Sequence, residues 1–269
     1  NFGDIYKYHY LRLRVMEENK DCIFIQFPQS THFSDKKNIQ ITGEIIKKVK
    51  KVILFARDKS TYNFFNENFN FKNVEIKLCC DMAFNLGSFN LNKKSMFKKI
   101  ILKRIDTETN FDYKKITQGS FDKFFYYDYK FKNEILFSIE IVYNEKKSIA
   151  LTDWYSTTIN DELHNSLSNY EKAKLGFDFA LYILSLGEEI VTDRLHALIF
   201  ALQLNKKHTI IDNNNFKLTN FYKTWLQKSE LTKMENNFDV IIKNSTTVDK
   251  CLPIKLLNHL RFDIIFKYI

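Results

Sequence analysis

Two prolines and six glycines are all the punctuation this chain of 269 residues carries. No Pro- or Gly-rich linker therefore divides it, and each such residue becomes a candidate boundary. The four cysteines, Cys22, Cys79, Cys80 and Cys251, form no Cys-x-x-Cys pair. That absence excludes the usual spacing of a zinc site or redox dithiol. Cys22 and Cys79-Cys80 sit in apolar runs and are expected as buried thiols of a reducing compartment. No apolar stretch is long enough to span a bilayer, and no secretory signal pattern is found. A cytoplasmic protein is expected. Long basic runs, zinc-finger spacing, internal repeats and low-complexity tracts are also missing, so nucleic acid is not an expected partner.

What is present is an ample core and a positive charge. Hydrophobic residues make up 45% of the chain, enough for two domains or one large one. Aromatics are rich, but so are Lys and Asn, a bias that AT-rich coding explains without a base-stacking surface. The net charge is +9, which favours anionic partners. "KKVKK" at 47–51 and the scattered Lys pairs lie among acids and read as solvated faces. An anionic small substrate or an anionic lipid surface accounts for the balance.

Strands and helices alternate along the chain. "NFGDIYKYHYLRLRVMEE" reads as a turn at Gly3 and a helix. "DCIFIQFPQ" reads as a buried strand ending at Pro28, and "TGEIIKKVKK" as an amphipathic helix capped by Thr42. "KVILFARDKSTYNFF" gives a strand, a turn at Arg57-Asp58 and a helix. "NVEIKLCCDMAFNLG" is a strand with Asp81 at its carboxyl end. Because an α/β domain usually opens with a strand, and the chain starts at "NFGDIY", a first strand is expected upstream.

The polar stretch "SFNLNKKSMF" marks a boundary, giving domains at 1–92 and 93–269. The second holds an insertion near 119–150, where "EILFSIEIVY" reads as strand or helix, and a weakly helical tail from 238. Between them come the strand "KKIILKRIDTE", a long helix that Gly187 ends, the strand "EEIVTD", the helix "RLHALIFALQL", the strand "KHTIIDN" and the helix "LTNFYKTWLQK". The alternation predicts α/β architecture with parallel sheets: two Rossmann-like domains facing across a cleft.

In such sheets ligands bind beyond the carboxyl ends of the strands. Gln29, Ser30, Arg57, Asp58, Asp81, Arg104, Asp106, Arg194 and His196 fall there. Thr192 and Asp193 are good caps, so Arg194 and His196 are expected in the first turn of a helix. A cation and an imidazole beside free backbone amides make a candidate anion site. Other residues read as structural: Asp193 as a cap, Trp154 as packing, and His164, His208 and His259 as structural histidines. Arg104, Asp106 and Glu108 read as an ion-pair network, and His32 orders a loop.

The ordered blocks "NFGD", "PQSTHF", "RDKSTY", "CDMAFNLG", "LKRIDTE", "VTDRLHALIFALQL" and "IDNNNFKLTNFYKTWL" together resemble the polysaccharide pyruvyl transferase family. Cys80 stands where the family tends to have Pro, and Asn213–Phe216 replaces a more usual Gly-containing turn. The resemblance implies a two-domain fold similar to the glycosyltransferase B type. It implies transfer of the enolpyruvyl unit of phosphoenolpyruvate to two hydroxyls of a sugar, free or lipid-linked, as a cyclic ketal. Neither a metal nor an organic cofactor is implied. A peripheral place at a membrane is the accompanying expectation.

Phosphoenolpyruvate carries a phosphate and a carboxylate, which call for clustered cations. Arg194 and Arg57 are the candidates, and Lys217 would neutralise the leaving phosphate. His196 is the expected general acid, since an imidazole titrates near neutrality. Asp58, Asp81 and His9 are alternatives for the base. Asp4 and Leu195 complete the implied substrate-binding set. Two other readings are a nucleotide-sugar glycosyltransferase of the same architecture, since fold does not fix function, and a non-enzymatic binding protein.

Overall fold

A computed structural model describes residues 1–91, 94–102, 104, 109, 124–131, 135–144, 147–152, 157–159, 165–237 and 240–241. Trp154, Asp106, Glu108, His164, Cys251 and His259 lie outside these residues, as does most of the tail. The chain divides into two compact units. The first comprises Asn1–Leu86 and takes the chain back for Thr219–Lys228. The second comprises Gly87–Leu218 and Ser229–Ile254. The sequence gives no warning of that return, because "LTNFYKTWLQK" reads as one continuous helix. Both units are mixed α/β with parallel strands. Among the described residues no helix is long and apolar enough to cross a membrane.

In the first unit α1 (His9–Glu18), α2 (Lys36–Lys48) and α3 (Lys59–Phe69) alternate with β1 (Ile23–Gln29), β2 (Lys51–Ala56) and β3 (Val74–Leu78). The strands form a parallel sheet in the order β1-β2-β3. Val52, Leu54 and Ala56 face a core that includes Phe2, Ile46, Phe65 and Phe69, all fully buried. β1 is not the buried strand its apolar sequence suggests. It runs at the sheet edge, with Ile23 and Phe27 exposed. Its register slips between Gln26 and Gln29, where Pro28, lacking an N–H, is tolerated. Cys22, just before it, is exposed rather than buried. Asp35, not Thr42, caps α2, its carboxylate accepting from the Lys37 amide at 2.8 Å. Thr42 sits mid-helix and donates to the Asn38 carbonyl. Gly3, at φ +124°, lies so close to the His32 carbonyl that a Cβ would collide with its oxygen.

The second unit holds a mixed sheet of β4 (Phe97–Leu102), β5 (Phe124–Phe131), β6 (Ile135–Asn144), β7 (Lys147–Thr152), β8 (Thr157–Ile159), β9 (Gly187–Thr192), β10 (Lys207–Ile210) and β11 (Thr232–Met234). The order is β11-β10-β9-β4-β7-β6-β5, with β8 beside β6. β7, β4, β9, β10 and β11 pair in parallel, whereas β5, β6, β7 and β8 pair antiparallel. Of the stretch "EILFSIEIVY", the residues from Ile135 onward are thus strand. Helix α4 (Asn169–Ser185) starts in a full capping box of Ser168 and Glu171. Helix α5 (Leu195–Gln203) follows β9. Both pack on Ile100, Leu102 and Ile190.

Gly187 does not end α4 by a left-handed turn; Leu186 closes that helix in αR. Gly187 instead opens β9, where a Cβ would lie 2.9 Å from the Ile100 side chain. Gly187→Ala is expected to cost about 1–3 kcal/mol through overpacking. A melting temperature unchanged from wild type would contradict that packing.

His208 on β10 is buried, and its Nδ1 donates to the Lys206 carbonyl at 2.9 Å. Its Nε2 faces the Thr232 hydroxyl at 2.8 Å. Burial pushes its pKa down to about 4. The neutral ring therefore contributes stability that is full above the unfolded value near 6.5 and is lost as pH falls towards 4. The loss amounts to about 3 kcal/mol at most. Denaturant titrations over this window should show a flatter pH dependence for His208→Gln than for wild type.

Candidate active site

In the second unit the chain leaves β4 towards β7 and leaves β9 in the other direction, towards β10. The gap between β4 and β9 is a topological switch point, the place where open α/β sheets form ligand crevices. Arg104 emerges two residues past β4 and Arg194 two residues past β9. Both are almost buried, at 9% and 8% exposure. Arg194 occupies the N-cap position of α5, not its first turn. The Thr192 hydroxyl accepts from its amide at 3.0 Å, so Thr192 organises the turn. Leu195 begins the helix as a buried residue, and His196 follows it, exposed, with its ring 6.5 Å from Phe200.

Asp193 does not cap α5. It is fully buried, and neither carboxylate oxygen accepts a well-formed hydrogen bond from a described residue. Burial pushes its carboxyl pKa up, opposed by the Thr109 side chain and by the charges of Arg104 and Arg194. Thr109 also makes an antiparallel bridge to Asn213. That contact docks the turn after β10 onto the same corner. Asn213 accepts from the Lys217 amide through its side chain at 3.2 Å, and Lys217 is itself buried. Arg104, Arg194 and Lys217 thus stand at one end of one sheet.

The first unit carries a different cluster at the carboxyl ends of β1, β2 and β3. Arg57 is not a free cation there. Its Nη1 donates to Asp81 at 2.7 Å, its Nη2 to Asn1 and Ser30, and its Nε to Ser30. The pair with Asp81 is buried on both sides. Asp58 caps α3: one oxygen accepts from the Thr61 amide at 2.8 Å, the other from the Ser30 hydroxyl at 2.7 Å. Asp81 also accepts from the Ala83 amide. Trp225, on the returning segment, donates its indole N–H to the Arg57 carbonyl at 2.8 Å. The cluster holds one arginine against two carboxylates.

Asp4 and His9 lie apart from that cluster. Asp4 accepts from the Ser34 amide and hydroxyl, the Asp35 amide and Asn38, and these bonds hold its pKa below the usual carboxylate value against a burial effect that opposes them. His9 sits in the aromatic core beside Phe2 and Phe33. Thr42 gives its one proton to the Asn38 carbonyl, so His9 Nε2, at 3.2 Å, is the N–H that donates to it. The opposite nitrogen is buried without a partner. Burial, then the charge of Arg12, lowers the pKa of His9. Among the described residues no group of three His, Cys, Asp or Glu side chains is placed to hold a metal ion.

The structure therefore brings Arg194, Leu195, His196 and Lys217 into one unit and Arg57, Asp58 and Asp81 into one cluster of the other. Asn1, a partner of Arg57, is a residue that residue type alone did not select, and Asp193, read from its type as a cap, is buried at the site instead. Arg104 was visible as an arginine after a β-branched run, the same signal that singled out Arg194. Asp81→Asn should leave the buried guanidinium of Arg57 without its counter-charge, at a cost of about 3 kcal/mol. Asp58→Ala should cost about 1–2 kcal/mol as a lost cap. Chemical denaturation should rank them so; an Asp81→Asn protein as stable as one carrying the exposed change Glu44→Gln would refute the ion pair's role.

Comparison with known proteins bears on the same segments. A family model described as polysaccharide pyruvyl transferase matches residues 1–215. EpsO of Bacillus subtilis (strain 168), assigned by name as a pyruvyl transferase, is 26% identical over 87% of this chain and 69% of its own. Pyruvyl transferase 1 of Schizosaccharomyces pombe is 24% identical over 95% of this chain. The chain spans 58% of that relative's length. A crystal structure of an uncharacterised Klebsiella pneumoniae protein shares the fold, with a TM-score of 0.52 at 19% identity, covering 88% of this chain and 73% of that one. The match runs through β9, the turn at Arg194, the start of α5 that carries His196, and the turn after β10, and by it this chain belongs to the polysaccharide pyruvyl transferase family.

Proposed function

We propose that the protein transfers the enolpyruvyl unit of phosphoenolpyruvate onto two hydroxyls of a sugar in a surface polysaccharide or its lipid-linked precursor. The products are a pyruvate ketal and free phosphate. One observation carries the reading: two buried arginines, Arg104 and Arg194, flank the switch point of a parallel sheet, with His196 exposed on the following helix. Buried guanidiniums match a phosphate and a carboxylate in geometry and charge. Lys217 adds a third cation, and burial shifts Asp193 towards its neutral form.

In this reaction His196 gives a proton to the methylene carbon, which becomes the methyl group. The carbon that bears the phosphate gains positive character, and an acceptor oxygen bonds to it while losing its proton. The bond to the phosphate oxygen breaks and phosphate leaves. The second hydroxyl then bonds to the same carbon and loses its proton, closing the ketal. Of the two hydroxyl protons, one replaces that given to carbon and one leaves with phosphate. Asp58 and Asp81 already accept hydrogen bonds, and His9 is enclosed by rings. His196, once it has given its proton, is the group that takes one back.

Neither a metal nor an organic cofactor enters this scheme, whose donor is phosphoenolpyruvate. The scaffold proposed is of the glycosyltransferase B type. A chain of net charge +9 acting on a lipid-carried precursor belongs at the cytoplasmic face of an anionic membrane.

The test mixes the protein with phosphoenolpyruvate and a panel of galactosides, mannosides and glucosides, and follows phosphate release and a pyruvate-sized gain in acceptor mass. Arg194→Ala and His196→Ala should each lower turnover at least ~100-fold. Transfer from a nucleotide sugar, with no reaction or binding of phosphoenolpyruvate, would replace this reading with a glycosyltransferase.

A further inference from the structure

The turn after β10 contains a residue that the fold does not need. Phe216 has φ +52°, in the left-handed region where a side chain meets its own backbone and glycine is favoured. Such a residue is retained only where its surroundings over-determine it. Here they do. The Phe216 amide donates to the Asn213 carbonyl at 3.0 Å, and the Lys217 amide donates to the Asn213 side chain. Asn213 itself is 1% exposed and bridged to Thr109. Lys217 and Leu218, the next two residues, are buried.

All this order ends in a phenyl ring that points into solvent, with 60% of the residue exposed, and no described aromatic ring stacks on it. An exposed aromatic contributes little to a core, and glycine would adopt this backbone without strain. Folding alone therefore gives no reason for phenylalanine here. The ring stands next to Lys217, on a turn docked through Thr109 against the corner that holds Asp193, Arg104 and Arg194.

We propose that Phe216 is a stacking platform for the acceptor sugar, receiving the C–H face of a pyranose beside the donor's anion site. The inference rests on the reaction proposed above and adds the residue that selects its acceptor. A flat, apolar ring with a negative π face suits the axial hydrogens of a sugar. The locked turn presents it already ordered, so little conformational entropy is lost on binding.

Phe216→Gly removes the ring and the strain together. It should leave the melting temperature unchanged or raise it by about 2 °C, and leave phosphoenolpyruvate affinity unchanged. Glycoside affinity, read by calorimetry on the same panel, should weaken ~3- to 10-fold, and KM for the acceptor should rise similarly at nearly constant kcat. Phe216→Trp should keep both near wild type. Unchanged glycoside affinity in Phe216→Gly, or no glycoside binding by wild type, overturns the proposal. So does a fall in melting temperature accompanied by equal losses for donor and acceptor, which would make the ring a packing element. Because glycoside affinity is measured without turnover, the two ideas separate. Ring-dependent sugar binding with no pyruvyl transfer would sink the reaction and keep the platform.

Discussion

The parallel pairing of β4 with β9 is the contact on which the candidate site depends. It sets Ile100 against Ile190 and Ile101 against Val191, so the two strands stop nearly level. Two residues on, each releases an arginine. The approach is close because Gly187 leaves room for Ile100, and the buried faces of both strands lock against α4 and α5. A slip of one residue would exchange the faces of β9 and bury the wrong side chains. Apolar packing thus fixes the register, and the register fixes where two charges emerge. Burying guanidiniums is costly unless they are paired, so the positions of Arg104 and Arg194 depend on the packing that sets this register.

The first unit solves a similar problem in the opposite way. Arg57 is satisfied internally, by Asp81, Ser30 and Asn1, and Ser30 passes the network on to Asp58 and the first turn of α3. Each strand end contributes one member, so the network ties the three strands together at their carboxyl edge. A buried pair of this kind is weak evidence for net stability but breaking it is expensive. The returning segment, Thr219–Lys228 between β10 and β11, joins the same network through Trp225, which donates to the Arg57 carbonyl.

The alternation of strand and helix was legible because each buried strand is a run of β-branched or aromatic residues closed by a polar turn: Val52–Ala56 before Arg57-Asp58, Ile190-Val191 before Thr192-Asp193. What failed, failed for physical reasons. Apolar β1 looked buried, but burial depends on neighbours, and at a sheet edge Ile23 and Phe27 have too few. Thr42 looked like a cap because caps are read from residue type; the helix starts earlier, where Asp35 reaches a free amide. Gly187 looked like a helix stop, whereas its smallness is used against a strand 87 residues away in sequence. The site residues were legible as types at strand ends. Their partners, Ser30 for Arg57 and Thr109 beside Asp193, were not, since only the fold makes them neighbours.

Electrostatics and strain point in one direction in the second unit. Asp193 is buried beside Arg104 and Arg194, where burial disfavours its charged form. Phe216 could have been glycine, yet a left-handed backbone carries a ring into water. Local choices normally agree with the fold, and the places where they do not are where function is to be sought. One conflict buries a carboxylate beside two arginines past β4 and β9; the other leaves an apolar face exposed on the turn docked against that corner. The transfer proposed above, from an anionic donor to a sugar acceptor, would bring a ligand to each of these two places.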